Sequence, residues 1–115
     1  MNIAFTAKGK EWVSNIDPRF GRAEYILIYN DTTDEFTHFD NRQISEQAHG
    51  AGPQSARKLF ELQADVLITG NGPGGNAATV LEKFGLKIFI GAGEMTVKQA
   101  FEAFRENQLT EFINQ

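Results

Sequence analysis

The chain has 115 residues, of which 41% are hydrophobic and 23% are charged, and its formal net charge is −4. This length and composition predict one globular domain spanning residues 1–115. The negative charge disfavours a nucleic-acid partner, and the absence of cysteine excludes disulfides, a thiol nucleophile and thiolate-bound zinc or iron–sulfur centres. With no leader-like N-terminus and no apolar run of about 20 residues, the sequence predicts a cytoplasmic protein without a membrane partner.

The first forty residues predict three strands. NIAF at 2–5 and EYILIYN at 24–30 are continuous apolar runs, which is typical of buried strands. The turn-forming DTTD at 31–34 precedes EFTHFDN at 35–41, a more polar segment that is predicted to return as the edge strand of a hairpin. Residues 42–51 are predicted to form a loop.

In the second half of the chain, helical and strand patterns alternate. Apolar residues recur at helical spacing in three segments, and the apolar runs DVLIT and KIFIG separate them. Pro53 suits the first turn of a helix, Gly85 suits the residue after a helix end, and Thr96 with Gln99 suits a capping box. The predicted elements are a helix from Pro53, a strand at 65–69, a helix over 77–84, a strand at 87–91 and a helix over 97–104. The tail at 109–115 is ambiguous.

This order of elements predicts an α/β fold, a three-layer α/β/α sandwich around a mixed five-stranded sheet. Uniformly apolar strands that alternate with amphipathic helices indicate a sheet covered on both faces. Right-handed crossovers place the strand at 65–69 beside the strand at 2–5, and the strand at 87–91 outside it. The hairpin is predicted to extend the other side of the sheet.

Four loops are predicted to meet beyond the carboxyl ends of the parallel strands, where open α/β sheets bind ligands. They are residues 6–23, 49–52, 70–75 and 91–94. The last three enter helix N-termini, whose free N–H groups and dipole favour anions. Residues 7–23 also carry four basic and two acidic side chains. The combination predicts an anion-binding site, while solvated loop charges and glycines that only permit tight turns are the plainer alternatives.

The loop GNGPGG admits a second interpretation. Gly70, Gly72 and Gly75 satisfy the pattern G-x-G-x-x-G between a predicted strand and a predicted helix, as in dinucleotide-binding proteins. Asn76 and Ala77 stand where a P-loop has its lysine and its hydroxyl residue, so an NTPase is disfavoured. Binding of a phosphate or a nucleotide stays open at this point.

The sequence indicates binding rather than catalysis. Its two histidines, His38 and His49, have no metal-ligand spacing. His38 lies on the predicted edge strand and is interpreted as a surface residue. His49 precedes the glycines at the predicted rim and is either a ligand of a metal or anion or an ordinary loop histidine. No serine–histidine–acid arrangement supports a hydrolase.

Three segments, in this order, resemble the dinitrogenase iron–molybdenum cofactor biosynthesis family, small proteins related to nitrogenase cofactor carriers. The segments are residues 17–30, 49–93 and 96–104, and their most specific parts are RFGR at 19–22, HGAG at 49–52 and the loop at 70–77. The resemblance implies a ribonuclease-H-like α/β/α fold that binds a preformed metal–sulfur cluster of the iron–sulfur or iron–molybdenum type. It also implies partners among the proteins that build or accept such clusters.

The resemblance further implies roles for individual residues. Arg19 and Arg22 would neutralise the charge of the cluster, His49 would be a direct metal ligand, and Asn71 and Asn76 would add polar contacts. The glycines that would let the backbone approach the cluster are Gly50, Gly52, Gly70, Gly72, Gly74 and Gly75. Because the chain has no cysteine, the cluster would not be held through thiolates. We predict a non-enzymatic carrier, with a small phosphate- or nucleotide-binding protein and a regulatory module without cargo as the alternatives.

Overall fold

The computed structural model describes residues 1–113, and its centre is a six-stranded mixed sheet. The strands are β1 (Asn2–Ala7), β2 (Tyr25–Asn30), β3 (Phe36–Asp40), β4 (Val66–Ile68), β5 (Lys87–Ile90) and β6 (Thr110–Phe112). Their order is β3-β2-β1-β4-β5-β6. β1, β4 and β5 run parallel, β2 and β3 form an antiparallel hairpin on one side, and β6 runs antiparallel to β5 on the other. The predicted neighbours of β1 are therefore confirmed.

Helices cover both faces of this sheet. Within residues 1–113 they are α1 (Arg42–Ser45), α2 (Ala51–Glu61), α3 (Gly75–Lys83) and α4 (Val97–Arg105). Leu59 of α2 and Leu81 of α3 are buried in one core cluster with Ala4, whereas Val97 of α4 is buried in a second cluster with Phe5. Successive strand residues point to opposite faces, so the two clusters lie on opposite sides of β1. The three-layer arrangement is confirmed. None of these helices, among the residues described, is long and apolar enough to cross a bilayer.

The prediction of five strands is wrong, because part of the tail forms β6. Two of its three residues, Thr110 and Glu111, are polar and exposed. The segment therefore lacks the apolar pattern by which a buried strand is recognised in a sequence. The free edge of β5 makes it a strand by backbone pairing, with Phe89 opposite Glu111. The predicted loop at 42–51 also differs, since it contains α1 and the first residue of α2.

Two sequence signals at helix ends are confirmed. Gly85 follows the C-cap of α3 with a left-handed φ of 71°, the conformation that favours glycine. At the start of α4, the hydroxyl of Thr96 accepts the N–H of Gln99, and the side chain of Gln99 accepts the N–H of Thr96. This capping box satisfies two donors that the helix itself leaves free.

The predicted basic loop after β1, residues 6–23, packs on the core with its first part and reaches the edge of the sheet with its second part. Trp12 stacks on Phe36 at a centroid distance of 4.5 Å and packs against the α4 side of the core. Ile16 is fully buried and forms a β-bridge with Ala7. Lys10 lies over the ring of Tyr25, 5.5 Å from its centroid. Residues 8–16 therefore close the core, and the residues that follow reach the carboxyl edge of the sheet.

Candidate functional site

A cleft of about 460 Å³ opens where the chain leaves β1 and β4. Its walls are residues 19–22, residues 52–53 at the start of α2, and residues 71–77. Size does not distinguish it, because another surface cleft of about 500 Å³ lies beside Trp12. The residues that line the cleft do distinguish it, because Arg19 and Arg22 are the only charged side chains among the described residues that form its walls.

The start of α3 presents free backbone donors to this cleft. Gly74 is the N-cap residue and provides no side-chain acceptor. The N–H groups of Gly75, Asn76 and Ala77 have no acceptor among the described residues, and all three residues line the cleft. Three adjacent amides at a helix N-terminus form a site of positive potential that suits an anion.

The start of α2 forms the opposite wall. Gly50 is its N-cap residue, with φ at 80°, and again no side chain caps the helix. A Cβ at Gly21 would lie 2.7 Å from backbone atoms of Gly52. Glycine at position 21 is therefore needed for the loop after β1 to touch the start of α2. This close approach brings the two walls of the cleft together.

Arg19 is oriented by a buried carboxylate. Asp17 is 1% exposed, and its oxygens accept the backbone N–H of Arg19 at 3.0 Å and two guanidinium N–H groups at 3.3 Å. The hydrogen bonds to Asp17 raise the pKa of Arg19 above its usual value. The Arg19 side chain is 62% exposed and lines the cleft, while Asp17 offsets part of its charge. Asp17 is a site residue that the sequence analysis did not identify.

Arg22 has a different environment from Arg19. Its Nη1 donates to the backbone oxygens of Ser45 and Gln47, at 2.6 and 2.5 Å. Arg22 lines the cleft, but part of its donor capacity anchors the segment between α1 and α2. The two arginines predicted as equivalent are therefore not equivalent.

The glycines of the loop after β4 fall into two groups. A Cβ at Gly70 would lie 2.6 Å from Pro18, and a Cβ at Gly72 would overlap the ring of Phe112. Packing inside the protein requires both glycines. A Cβ at Gly74 or Gly75 would meet no atom within 4 Å. These two glycines leave open space in the cleft, where a ligand can approach the backbone.

This difference argues against a dinucleotide at the G-x-G-x-x-G sequence. In dinucleotide-binding proteins the second glycine makes room for the pyrophosphate. Here the space beside Gly72 is filled by Phe112. In this protein the first two glycines of the pattern, Gly70 and Gly72, are required by internal packing, whereas the third, Gly75, faces open space.

Three predicted site residues lie outside the walls of the cleft. His49 is exposed, two residues before α2, and Gly50 and Gly70 also do not line the cleft. The loop at 91–94 packs behind it, with Gly93 against Pro18. Among residues 1–113 no group of three histidine, cysteine, aspartate or glutamate side chains is arranged to hold a metal ion.

The walls of the cleft combine predicted site residues with others that the sequence did not indicate. The predicted residues among them are Arg19, Arg22, Gly52, Asn71, Gly72, Gly74, Gly75 and Asn76. The wall residues that were not predicted carry no polar side chain, and they are Phe20, Gly21, Pro53, Pro73 and Ala77. The sequence Asp-x-Arg at 17–19 was the available signal for Asp17. An aspartate side chain can accept the backbone N–H of the residue two positions later, as Asp17 does from Arg19.

The fold and the cleft define a small α/β binding protein with an electropositive site at the carboxyl ends of its parallel strands. The chain belongs to the dinitrogenase iron–molybdenum cofactor family, whose model matches residues 1–107. It is similar to the apo form of the orange protein from Desulfovibrio gigas, with 33% identity, a TM-score of 0.93, and coverage of 98% of this chain and 93% of that one. Among curated proteins no sequence matches significantly.

A Thermotoga protein has a second similar structure, solved by NMR and described as a candidate NifB protein of the DUF35 family. It is 33% identical, with a TM-score of 0.82, over 96% of this chain and 91% of that chain. These relationships connect the chain with the binding or biosynthesis of metal-containing cofactors.

Proposed function

We propose that the cleft binds and carries an anionic metal–sulfur cluster, of the iron–sulfur or iron–molybdenum type, during metallocluster biosynthesis. The observation that carries this proposal is the set of three unpaired amides at Gly75, Asn76 and Ala77, which open into a cleft whose charged wall residues are both arginines. Backbone donors and arginines stabilise an anion by hydrogen bonding and charge, without a covalent bond.

The wall chemistry favours a preformed cluster over a bare metal ion. No wall residue is a cysteine, histidine, aspartate or glutamate, the side chains that coordinate transition metals most often. A metal held here must bring its own inner ligands. Sulfide ligands at the surface of a cluster carry negative charge and accept hydrogen bonds, which matches the donors of the cleft.

Each predicted site residue has a place in the proposal. Arg19 and Arg22 supply charge, Gly74 and Gly75 allow close approach, and Asn71 and Asn76 contribute amide donors. Gly50, Gly52, Gly70 and Gly72 shape the walls. His49 is proposed as the direct ligand of cargo that extends from the cleft to the rim.

The whole chain is proposed to act as a single carrier domain with a ribonuclease-H-like arrangement of strands and helices. Its partners would be the proteins that build or accept the cluster. This assignment is supported by the family, whose description refers to the dinitrogenase cofactor, and by the names of the two similar structures.

The proposal is tested by anaerobic reconstitution with a matched pair of charge variants. The protein is incubated with iron and sulfide, or with iron and tetrathiomolybdate, then desalted and analysed for metal and sulfide. Asn76→Asp adds a negative charge at the open start of α3, and we expect it to weaken cluster uptake by about tenfold or more. Gln99→Glu adds the same charge at the capped start of α4 and keeps the capping box, so uptake should match the native protein.

Both variants should remain folded, since a carboxylate in the first turn stabilises a helix. Thermal-shift measurements with nucleotides and inorganic phosphate test the alternative, in which the cleft binds a phosphate group. No uptake of metal and sulfide by the native protein, together with a shift by a nucleotide that Asn76→Asp abolishes, would assign the cleft to phosphate instead.

A further inference from the structure

The short strand β6 contacts Gly72, a wall residue of the cleft, through the side chain of Phe112. Among the described residues it pairs with β5 alone, through three residues, at the edge of the sheet. The family match ends at residue 107, before β6 begins. Its residues Thr110 and Glu111 are exposed, which leaves Phe112 as its inward-facing side chain.

Phe112 fills the position where a side chain at residue 72 would lie. Its ring packs against the core cluster that contains Ala77 and Leu81 of α3 and Ile88 of β5. Two carbon atoms of the ring would come within 3 Å of a Cβ at Gly72. The ring therefore packs directly on Gly72, a wall residue of the cleft, without lining the cleft itself.

Phe112 is also an internal support that lies shortly before the open donors. The loop after β4 is first held at Gly70, which packs on Pro18, and at Asn71, whose N–H donates to the oxygen of Pro18 at 2.8 Å. Gly72 then rests on Phe112. Beyond it, Gly74 and Gly75 have open space around their Cα atoms. The buried residues of α3, Ala77 and Leu81, belong to the cluster on which Phe112 packs. Phe112 therefore contacts both the loop before the open amides, at Gly72, and the core beneath the helix that carries them.

We propose that Phe112 is a positioning residue for the cleft and that β6, through this residue, sets the affinity of the cleft for anionic cargo. The proposal rests on the proposed function. It makes the pairing of β6 with β5 part of the binding site, although no residue of β6 lines the cleft. Because coupling between two sites is reciprocal, cargo that orders the loop also stabilises β6.

The test compares two phenylalanines with similar burial. Phe112 and Phe104 are both partly buried, but Phe104 packs on Phe89 at 5.0 Å on the α4 side of the sheet, away from the cleft. We expect Phe112→Ala and Phe104→Ala both to lower the urea midpoint of unfolding. Only Phe112→Ala should accelerate release of the reconstituted cluster, on the order of tenfold. Phe112→Leu should restore slow release, since leucine refills most of the space. Equal release rates for Phe112→Ala and Phe104→Ala would overturn the proposal.

A second comparison uses the contact itself. Gly72→Ala should destabilise the native protein because its methyl group meets the ring of Phe112, and it should be better tolerated in the Phe112→Ala background, where the ring is gone. Additive effects of the two substitutions would contradict direct support of Gly72 by Phe112.

The role of Phe112 can also be measured without cargo, which separates this proposal from the proposed function. In NMR spectra of the cargo-free protein, Phe112→Ala should shift the amide signals of residues 74–77, whereas Phe104→Ala should leave them in place. If the native protein binds no cluster but these shifts occur, the carrier function fails and the positioning role stands. If the native protein binds clusters and the amide signals do not move, the positioning role fails alone.

Discussion

The N-cap residues of α3 and α4 have nearly the same backbone conformation, but only α4 has a side-chain cap. Gly74 has φ −63° and ψ 164°, and Thr96 has φ −75° and ψ 165°. Thr96 and Gln99 form a capping box that satisfies donors at the start of α4. At α3 no side chain caps the helix, although its N-cap conformation is one that any residue adopts.

Backbone geometry therefore does not explain the glycine at position 74. A serine or threonine there would stabilise α3, and the space around Gly74 would accept it. The absence of a cap leaves three donors free to bind something that is not part of the chain. Substitutions at Gly74 and Thr96 test this contrast directly. Substitutions at Arg19 and Asp40 test charged groups beside the cleft and at the start of α1.

Removal of the Arg19 side chain should have the largest effect. In Arg19→Ala the buried carboxylate of Asp17 keeps the backbone N–H and loses both guanidinium donors, so the free energy of unfolding should fall by about 2 kcal/mol. Cluster uptake should fall as well. The double variant Asp17→Asn, Arg19→Ala should recover stability without recovering uptake, as measured by urea unfolding and metal analysis. Equal stability of Arg19→Ala and the native protein would show that water replaces the guanidinium.

Gly74→Ser should make the start of α3 resemble the start of α4. The serine hydroxyl can accept an N–H from the first turn, which should raise the free energy of unfolding by about 0.5 kcal/mol. It would occupy a donor that the proposed cargo uses, and the loss of one hydrogen bond to a charged group corresponds to about tenfold weaker cluster binding. Urea unfolding of this variant measures the expected gain in stability, and cluster titration measures the expected loss of affinity. Stronger binding by Gly74→Ser would contradict the role assigned to the free amides.

Thr96→Ala should make the reverse change at α4. Loss of the capping box should lower the free energy of unfolding by about 1 kcal/mol, because the N–H of Gln99 loses its acceptor. Cluster uptake should stay at the native level, since Thr96 does not line the cleft. A loss of uptake in this variant, at a temperature where it is fully folded, would mean that the α4 start also contributes to the site.

The smallest effect is expected at the start of α1, where Asp40 accepts the N–H of Arg42 and pairs with its guanidinium at 2.7 Å. The hydrogen bonds from the Arg42 side chain and backbone lower the pKa of Asp40 from 3.8 to about 2. A lowered pKa in the folded state means that this stabilisation is complete above about pH 4 and disappears as the pH falls towards 2. Urea midpoints of the native protein and Asp40→Asn should therefore differ slightly at pH 7 and converge near pH 2.

The identity of most elements could be predicted from the sequence because the local signals agree with the tertiary structure. The apolar runs of β1, β2, β4 and β5 and the helical spacing in α3 and α4 all lead to elements that the structure contains. β6 could not be predicted in this way, since two of its three residues are exposed and backbone pairing with β5 defines it.

The site was less predictable than the fold, because similar residues have different roles. The sequence pattern does not distinguish Gly72, which packs against Phe112, from Gly75, which faces open space. Arg19 and Arg22 likewise occur in one short motif, yet one pairs with a buried carboxylate and the other holds backbone carbonyl groups. In each case the partner lies elsewhere in the chain or is visible only in the folded geometry.

Local periodicity and the conformational preferences of single residues are enough to predict the α/β class, the helix ends at Gly85 and Thr96, and the concentration of glycines after β4. Which donors are left free, which glycines are open, and the contact of β6 with the loop after β4 are visible only in the folded protein. Those properties depend on contacts between residues far apart in the chain, and no local pattern encodes the atoms that occupy the space next to a residue after folding.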